Sequence, residues 1–150
     1  MSWILGARRI GKPAGRKALR GSNPLPSAKQ RNDLRDSQQA LAAGDVTAIV
    51  NTFEPDGSFR EPSGGIYVHR GREQLRAFMS TILGGGGIQL EQCTVTDGGV
   101  VAAIEFIAVQ FGPHRLQPQA GLAVYERGPS GQLHAARIYD DVNVEALCGP

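Results

Sequence analysis

The sequence predicts an α+β fold, with helices gathered in the first half and packed on one face of a curved sheet built mainly by the second half. Two observations carry this. Apolar residues recur at helical spacing up to about residue 83, and from residue 88 they follow the two-residue alternation of strands. Turn signals, Asp97-Gly98-Gly99 and Gly128-Pro129-Ser130-Gly131, then divide the second half into consecutive long strands. Helices first and a strand meander afterwards is the order of an α+β domain.

Residues 28–43 are rich in Ala, Gln, Leu and Arg, with Leu34, Gln38 and Leu41 on one face. They predict a first helix that stops at Gly44. Asp45 caps a second, short helix that carries Val46, Ile49, Val50 and Phe53 at i, i+3, i+4 and i+7. Pro55-Asp56-Gly57 is expected to break the chain. Residues 58–61 and 66–69 read as short strands, and 72–83 return to helical period through Leu75, Phe78, Met79 and Ile82. Residues 84–87, all glycine, are expected to form a flexible loop; no Lys-Ser/Thr follows, so this is not a phosphate loop. Long strands are expected over 88–96, 100–111, 119–126 and 132–142.

The length suits one domain, and a hydrophobic content of 41% is enough for a core. No run of about 18 apolar residues occurs, so no membrane-spanning helix is expected. The charge is split. Residues 1–32 hold eight positive charges and no acid, which leaves residues 33–150 with eight positives, fourteen acids and a formal charge of −6. Residues 1–26 therefore read as a disordered basic extension and 27–150 as the folded domain. The extension can be a solvated tail, a weak binder of acidic lipid or nucleic acid, or an organelle-targeting segment. Trp3-Ile4-Leu5 is too short for a secretory core of about 7–15 apolar residues. The acidic balance excludes a nucleic-acid role for the folded domain. Cys93 and Cys148 form no CxxC and no metal spacing, which reads as two reduced thiols in a cytoplasmic protein.

Residues 53–73 hold the strongest functional signal. Glu61 ends a short strand and is followed by Pro62 and a Ser-Gly-Gly turn. An ionisable group at the entrance to an apolar fold is costly unless something uses it. Alternation puts Val101, Ala103, Glu105, Ile107 and Val109 on one side of their strand. It puts His134, Ala136, Ile138 and Asp140 on one side of the last strand, and Arg137, Tyr139 and Asp141 on the other. Glu61, Glu105 and Asp140 are therefore expected to point into one pocket, with Phe53, Leu75, Phe78, Ile82, Ala103 and Ile138 among its walls. Two acids sharing a site resist double ionisation, so one can stay protonated and donate a hydrogen bond. The plainer alternatives are a Glu61 paired with Arg60, Arg70 or Arg72, a cross-strand ion pair for Glu105 and a solvated strand end for Asp140. His114 lies in a Gly-Pro-His-Arg turn and reads as exposed, and His134 faces inward close to a turn. Histidines this scattered give no metal site.

The chain also resembles a known family. The matching residues are Gly44-Asp45-Val46 with Ala48-Ile49-Val50, then Phe53 and Asp56, Glu61-Pro62 with Gly64, and Gly71-Arg72-Glu73-Gln74 with Ala77-Phe78. Gly131-Gln132-Leu133 and Arg137-Ile138-Tyr139-Asp140 complete the set. Across roughly residues 30–145 it resembles the ketosteroid-isomerase and SnoaL-like polyketide-cyclase group of the nuclear-transport-factor-2-like superfamily. That resemblance implies a cone: three helices closing a strongly curved mixed sheet around a deep pocket. It implies a homodimer through the outer sheet face, with Arg137 and Tyr139 near the two-fold axis. It places Glu61 where the isomerase carries its proton-shuttling aspartate, and Asp140 where a pocket aromatic would sit. Tyr67 and His69 come to the pocket mouth, and Met79 joins the pocket lining.

The isomerase's oxyanion donors do not carry over. Their positions fall at Met79, near Ser37, and near Gly121 or Ala123. Two functions stay open. One is a cofactor-free, metal-free isomerase or cyclase that moves a proton alpha to a carbonyl of a small hydrophobic molecule, with Asp140 or Glu105 stabilising the enolate. The other is a non-catalytic module for ligand binding or dimerisation.

Overall fold

The computed structural model of the chain describes residues 28–62 and 67–140, with the side chains of 28–33, Gln92 and Cys93 left outside that description. The basic extension over 1–26, Asp141 and Cys148 lie outside the described residues. Helix α1 (Ala28–Ala43) ends at Gly44, whose φ of 68° is the left-handed stop a glycine supplies without strain. Asp45 then caps α2 (Val46–Asn51), its carboxylate accepting from the Ala48 amide at 2.9 Å. Thr52 closes α2 by donating its hydroxyl to the Ile49 carbonyl at 2.6 Å.

Phe53 is not the last turn of a helix. It opens strand β1 (Phe53–Arg60), pairs with Leu133 and is buried. Pro55-Asp56-Gly57 does not break the chain either. It forms an irregularity inside β1, where the register slips between Phe53 and Ser58. Gly57 is needed there, because a Cβ would meet the Leu133 carbonyl oxygen at 2.9 Å. Strand β2 (Val68–Arg70) folds back on β1, and α3 (Gly71–Leu83) follows at once, starting on Gly71 at φ 79°.

The long strands are β3 (Ile88–Asp97), β4 (Val101–Phe111), β5 (His114–Arg127) and β6 (Leu133–Asp140). The β4–β5 hairpin turns at Gly112-Pro113, so β5 begins five residues earlier than the sequence suggested. The sheet order is β2-β1-β6-β5-β4-β3. Among the described strands only β1 and β6 run parallel, which makes the sheet mixed. Register shifts in β1, β3, β4 and β5 add twist, and the sheet curves without closing.

The helices cover the concave side. Leu34 of α1, Ile49 and Val50 of α2, and Leu75, Met79 and Leu83 of α3 pack with Ala102, Ile104, Leu133 and Ala136 of the sheet. Residues 84–87 pack closely rather than forming a free loop. A Cβ on Gly87 would lie 2.0 Å from the Ala42 carbonyl oxygen, and the Gly87 carbonyl accepts from the Gly112 amide at 2.8 Å. At the opposite corner Arg127, buried, donates to both carboxylate oxygens of Asp97 at 2.9 and 3.0 Å and to the Gly99 carbonyl at 2.7 Å. That clamp ties the end of β5 to the β3–β4 hairpin.

Candidate active site

Between the helices and the concave face lies a cavity of about 350 Å³. Helix α1 contributes Ser37, Gln38 and Leu41, and α3 contributes Phe78, Met79 and Ile82. The sheet contributes Phe59 and Glu61 from the β1 end, Phe106 and Ala108 from β4, Ala123 and Tyr125 from β5, and Ile138 and Asp140 from β6. The walls are apolar with a few polar groups, the usual make-up of a small-molecule site.

Glu61 sits one residue past β1, where its amide donates to the Tyr67 carbonyl at 3.0 Å. The β1–β2 pairing sets His69 opposite Phe59. This brings His69 Nε2 to 2.6 Å from Glu61 Oε1. The imidazole also stacks on Phe78, with ring centroids 4.0 Å apart and planes inclined by 13°. Phe78 in turn leans on Phe59 at 5.3 Å. The histidine ring is thus held by a hydrogen bond at its edge and by an aromatic face. A dyad of this kind shares one proton: the imidazole N–H donates to the carboxylate, or the carboxylic acid donates to the imidazole. Both side chains keep about a quarter of their surface exposed, so Glu61 is partnered yet open to a ligand. Its partner is His69, not Arg60, Arg70 or Arg72.

Asp140 lines the same cavity as Glu61. Glu105 does not. It is exposed and borders an open groove on the outer face with Ile107, Leu122 and Tyr139, a groove that Asp140 also borders. Ala103 shares that outer side with Glu105, so it is not a cavity wall. The side that faces the cavity and core is Ala102, Ile104, Phe106 and Ala108. Both sides of β4 are apolar, so alternation grouped the residues correctly but did not say which group turns inward. Phe53 and Leu75 belong to the packed core instead of the cavity lining, and Tyr67 is exposed outside it. Phe78, Met79, Ile82 and Ile138 line the cavity.

Tyr125 is a cavity residue that the sequence reading missed. Burial pushes its phenol up to about 12, so it remains a neutral hydrogen-bond donor across the physiological range. The available signal was alternation along β5, which puts Tyr125 on the side of Ala123.

Away from the cavity, ligand atoms of Glu54, Asp56 and His134 lie within 4.8 Å of one another, close enough to be weighed as a cation site. Glu54 Oε1, however, already accepts from the Ser130 hydroxyl at 2.8 Å and the Ser130 amide at 3.2 Å, while Oε2 lies 3.4 Å from His134 Nδ1. These bonds tie the β5–β6 turn to β1. The Ser130 hydroxyl is the main cause that holds the Glu54 carboxyl below its ordinary range, with burial opposing it and the Ser130 amide and His134 reinforcing it.

A mixed, unclosed sheet wrapped round a cavity under three helices defines a class of fold, and comparison with known proteins agrees with it. The SnoaL-like domain matches residues 34–134. The chain belongs to this family, within the nuclear-transport-factor-2-like fold. Among solved structures it is similar to an NTF2-like protein of unknown function from Cytophaga hutchinsonii, at TM-score 0.63 and 14% identity, covering 82% of this chain and 99% of that one. It is similar to an LEH-like epoxide hydrolase from M. tuberculosis, at TM-score 0.63 and 17% identity, covering 76% and 84%. It is also similar to SalBIII, an epoxide hydrolase/cyclase-like enzyme of pyran ring formation in salinomycin, at TM-score 0.61 and 21% identity, covering 76% and 92%. No curated protein sequence matches significantly. No helix among the described residues is long and apolar enough to cross a membrane.

Proposed function

We propose that this SnoaL-like domain is a cofactor-free enzyme that moves a proton alpha to a carbonyl of a small hydrophobic, steroid- or polyketide-like compound. The observation that carries this is the Glu61–His69 pair at 2.6 Å, with its carboxylate opening into an apolar cavity that Asp140 and Tyr125 also line. Glu61 takes the proton from the carbon beside the carbonyl and returns it to another carbon of the enolate. A general base acts from within hydrogen-bond reach of the proton it takes, and Glu61 opens into the cavity that would hold the substrate. His69 holds the carboxylate in place. Tyr125, Ser37 and Gln38, and Asp140 as the neutral acid, are among the cavity groups able to donate to the developing oxyanion, a role Glu105 cannot fill from the outer face.

The same acid and base would serve opening of an epoxide or closure of a cyclic ether, the variant of this chemistry that the similarity to an epoxide hydrolase and to SalBIII suggests. The second reading is a non-catalytic binding module. It is favoured by the resemblance, in which one tyrosine of the isomerases falls at Met79 and another near Ser37. The proposed assembly is a homodimer through the outer sheet face, where Val101 and Tyr139 are exposed, and the proposed compartment is the cytoplasm. A panel of cyclic enones and 1,3-dicarbonyl compounds in D2O, followed by proton NMR, tests the enzyme reading. Wild type is expected to exchange alpha-hydrogens of at least one compound. Ligand binding without exchange anywhere in the panel would favour the module.

A further inference from the structure

We infer that Phe106, seated on Gly121, sets how large a ring system the cavity accepts. This rests on the reading of the cavity as a substrate site, but not on Glu61 being a base. Phe106 of β4 pairs directly with Gly121 of β5; Phe106 lines the cavity, and both residues also border the open groove beside Glu105. A Cβ built on Gly121 would fall 2.4 Å from Phe106 Cζ, 2.5 Å from Cε2 and 3.1 Å from Cε1. The tip of the ring therefore occupies the space that any side chain at 121 would need. The glycine is not required by the backbone, since its φ lies outside the left-handed region. What an L-residue at 121 would displace is the ring.

Two consequences follow for the ligand. With the ring laid on the glycine, the cavity stays open between the sheet and Phe78 of α3, and the exposed ring edges and faces are those of Phe59, Phe78, Phe106 and Tyr125. Walls of this kind favour a flat, fused-ring apolar molecule. Displacement of the ring off Gly121 pushes it into that space and narrows the site. Deletion of the ring enlarges it. The sheet's hydrogen-bond ladder is untouched in both cases.

The test is fluorescence titration with two probes, 2-naphthol with two fused rings and 1-hydroxypyrene with four, against wild type, Gly121→Ala, Phe106→Ala and the double variant. A change of one or a few carbons in an apolar pocket shifts discrimination by about 10- to 200-fold. Gly121→Ala is expected to lower the preference for the larger probe by at least about tenfold on that scale, and Phe106→Ala to raise it by as much. In the Phe106→Ala background, Gly121→Ala is expected to have no further effect, because its collision partner is gone. Should Phe106→Ala not fold, Phe106→Leu serves the same arm. An effect of Gly121→Ala that persists without the Phe106 ring would overturn the inference, as would equal changes for both probes, or failure of wild type to bind either. Alpha-hydrogen exchange is read separately, so loss of catalysis in Glu61→Gln with size selection intact counts against the proposed reaction alone.

Discussion

His69 carries the residue-scale account, because two independent contacts fix its ring: 2.6 Å to Glu61 and a 4.0 Å stack on Phe78. A side chain held in this way orients the carboxylate rather than touching substrate. Loss of such positioning can cost about 10²-fold in rate. His69→Ala is expected to lower kcat by that order with KM changed little, and His69→Gln, which can still donate, to recover part of it; steady-state kinetics of both variants check this. Glu54 gives a pH prediction. Its carboxyl is held below the ordinary range, chiefly by the Ser130 hydroxyl. A depressed folded-state pKa contributes stability that is complete above the unfolded value of about 4.3 and is lost as pH falls through the lower folded value. Thermal melts of wild type and Glu54→Gln should therefore differ at neutral pH and converge in acid. The candidate base was legible in the sequence because Glu61, just before Pro62, is an ionisable group at the entrance to an apolar fold, which is costly unless something uses it. His69 was legible as a residue of the pocket mouth and a candidate acid/base partner, but its pairing with Glu61 was not, since the stack on Phe78 from α3 brings together residues with no periodic relation.

At the scale of elements, alternation was informative wherever the two sides of a strand differ. On β6 it separated Ile138 and Asp140 from Arg137 and Tyr139, and the cavity follows that division. On β4 it could not say which side faces inward, because Val101, Ala103 and Ile107 are as apolar as Ala102, Ile104 and Ala108. Only packing under α2 and α3 decides, and it leaves Glu105 outside. Glycine was misread for a related reason. A glycine run in a sequence suggests freedom, whereas residues 84–87 are glycine partly because backbone meets backbone there. Gly87→Ala would place a methyl against the Ala42 carbonyl at 2.0 Å. We expect it to cost about 3 kcal/mol or more, at the upper end for overpacking, as read by urea denaturation. The Arg127–Asp97 clamp has the opposite logic. Asp97→Ala would leave a buried guanidinium short of its acceptor, and breaking a buried pair this way costs about 3–5 kcal/mol. Chemical denaturation with the slope held constant checks that value.

For the whole molecule, the meander of long strands was legible because the helical period of residues 72–83 gives way to alternation from residue 88. The parallel pairing of β1 with β6 could not be read from periodicity, since it joins residues as far apart in sequence as Phe53 and Leu133. That pairing matters most for the site: it sets the end of β1, with Glu61, beside the end of β6, with Ile138 and Asp140. The convex side carries Val101 and Tyr139 in the open, and Arg60 lies 4.3 Å over the Tyr139 ring. If copies pair through this side, Val101→Glu is expected to convert dimer to monomer in sedimentation experiments, and a wild-type monomer at all concentrations would remove the proposed assembly. The central claim, however, concerns the concave side: Glu61 is a base working inside an apolar cavity. The most direct measurement is the alpha-deuterium exchange rate of wild type against Glu61→Gln, at saturating concentration of the carbonyl compound that exchanges fastest. The account predicts that the variant still binds the compound within a few-fold, while exchange falls by about 10²- to 10⁴-fold, the usual contribution of a general base. Equal exchange rates in the two proteins would contradict it.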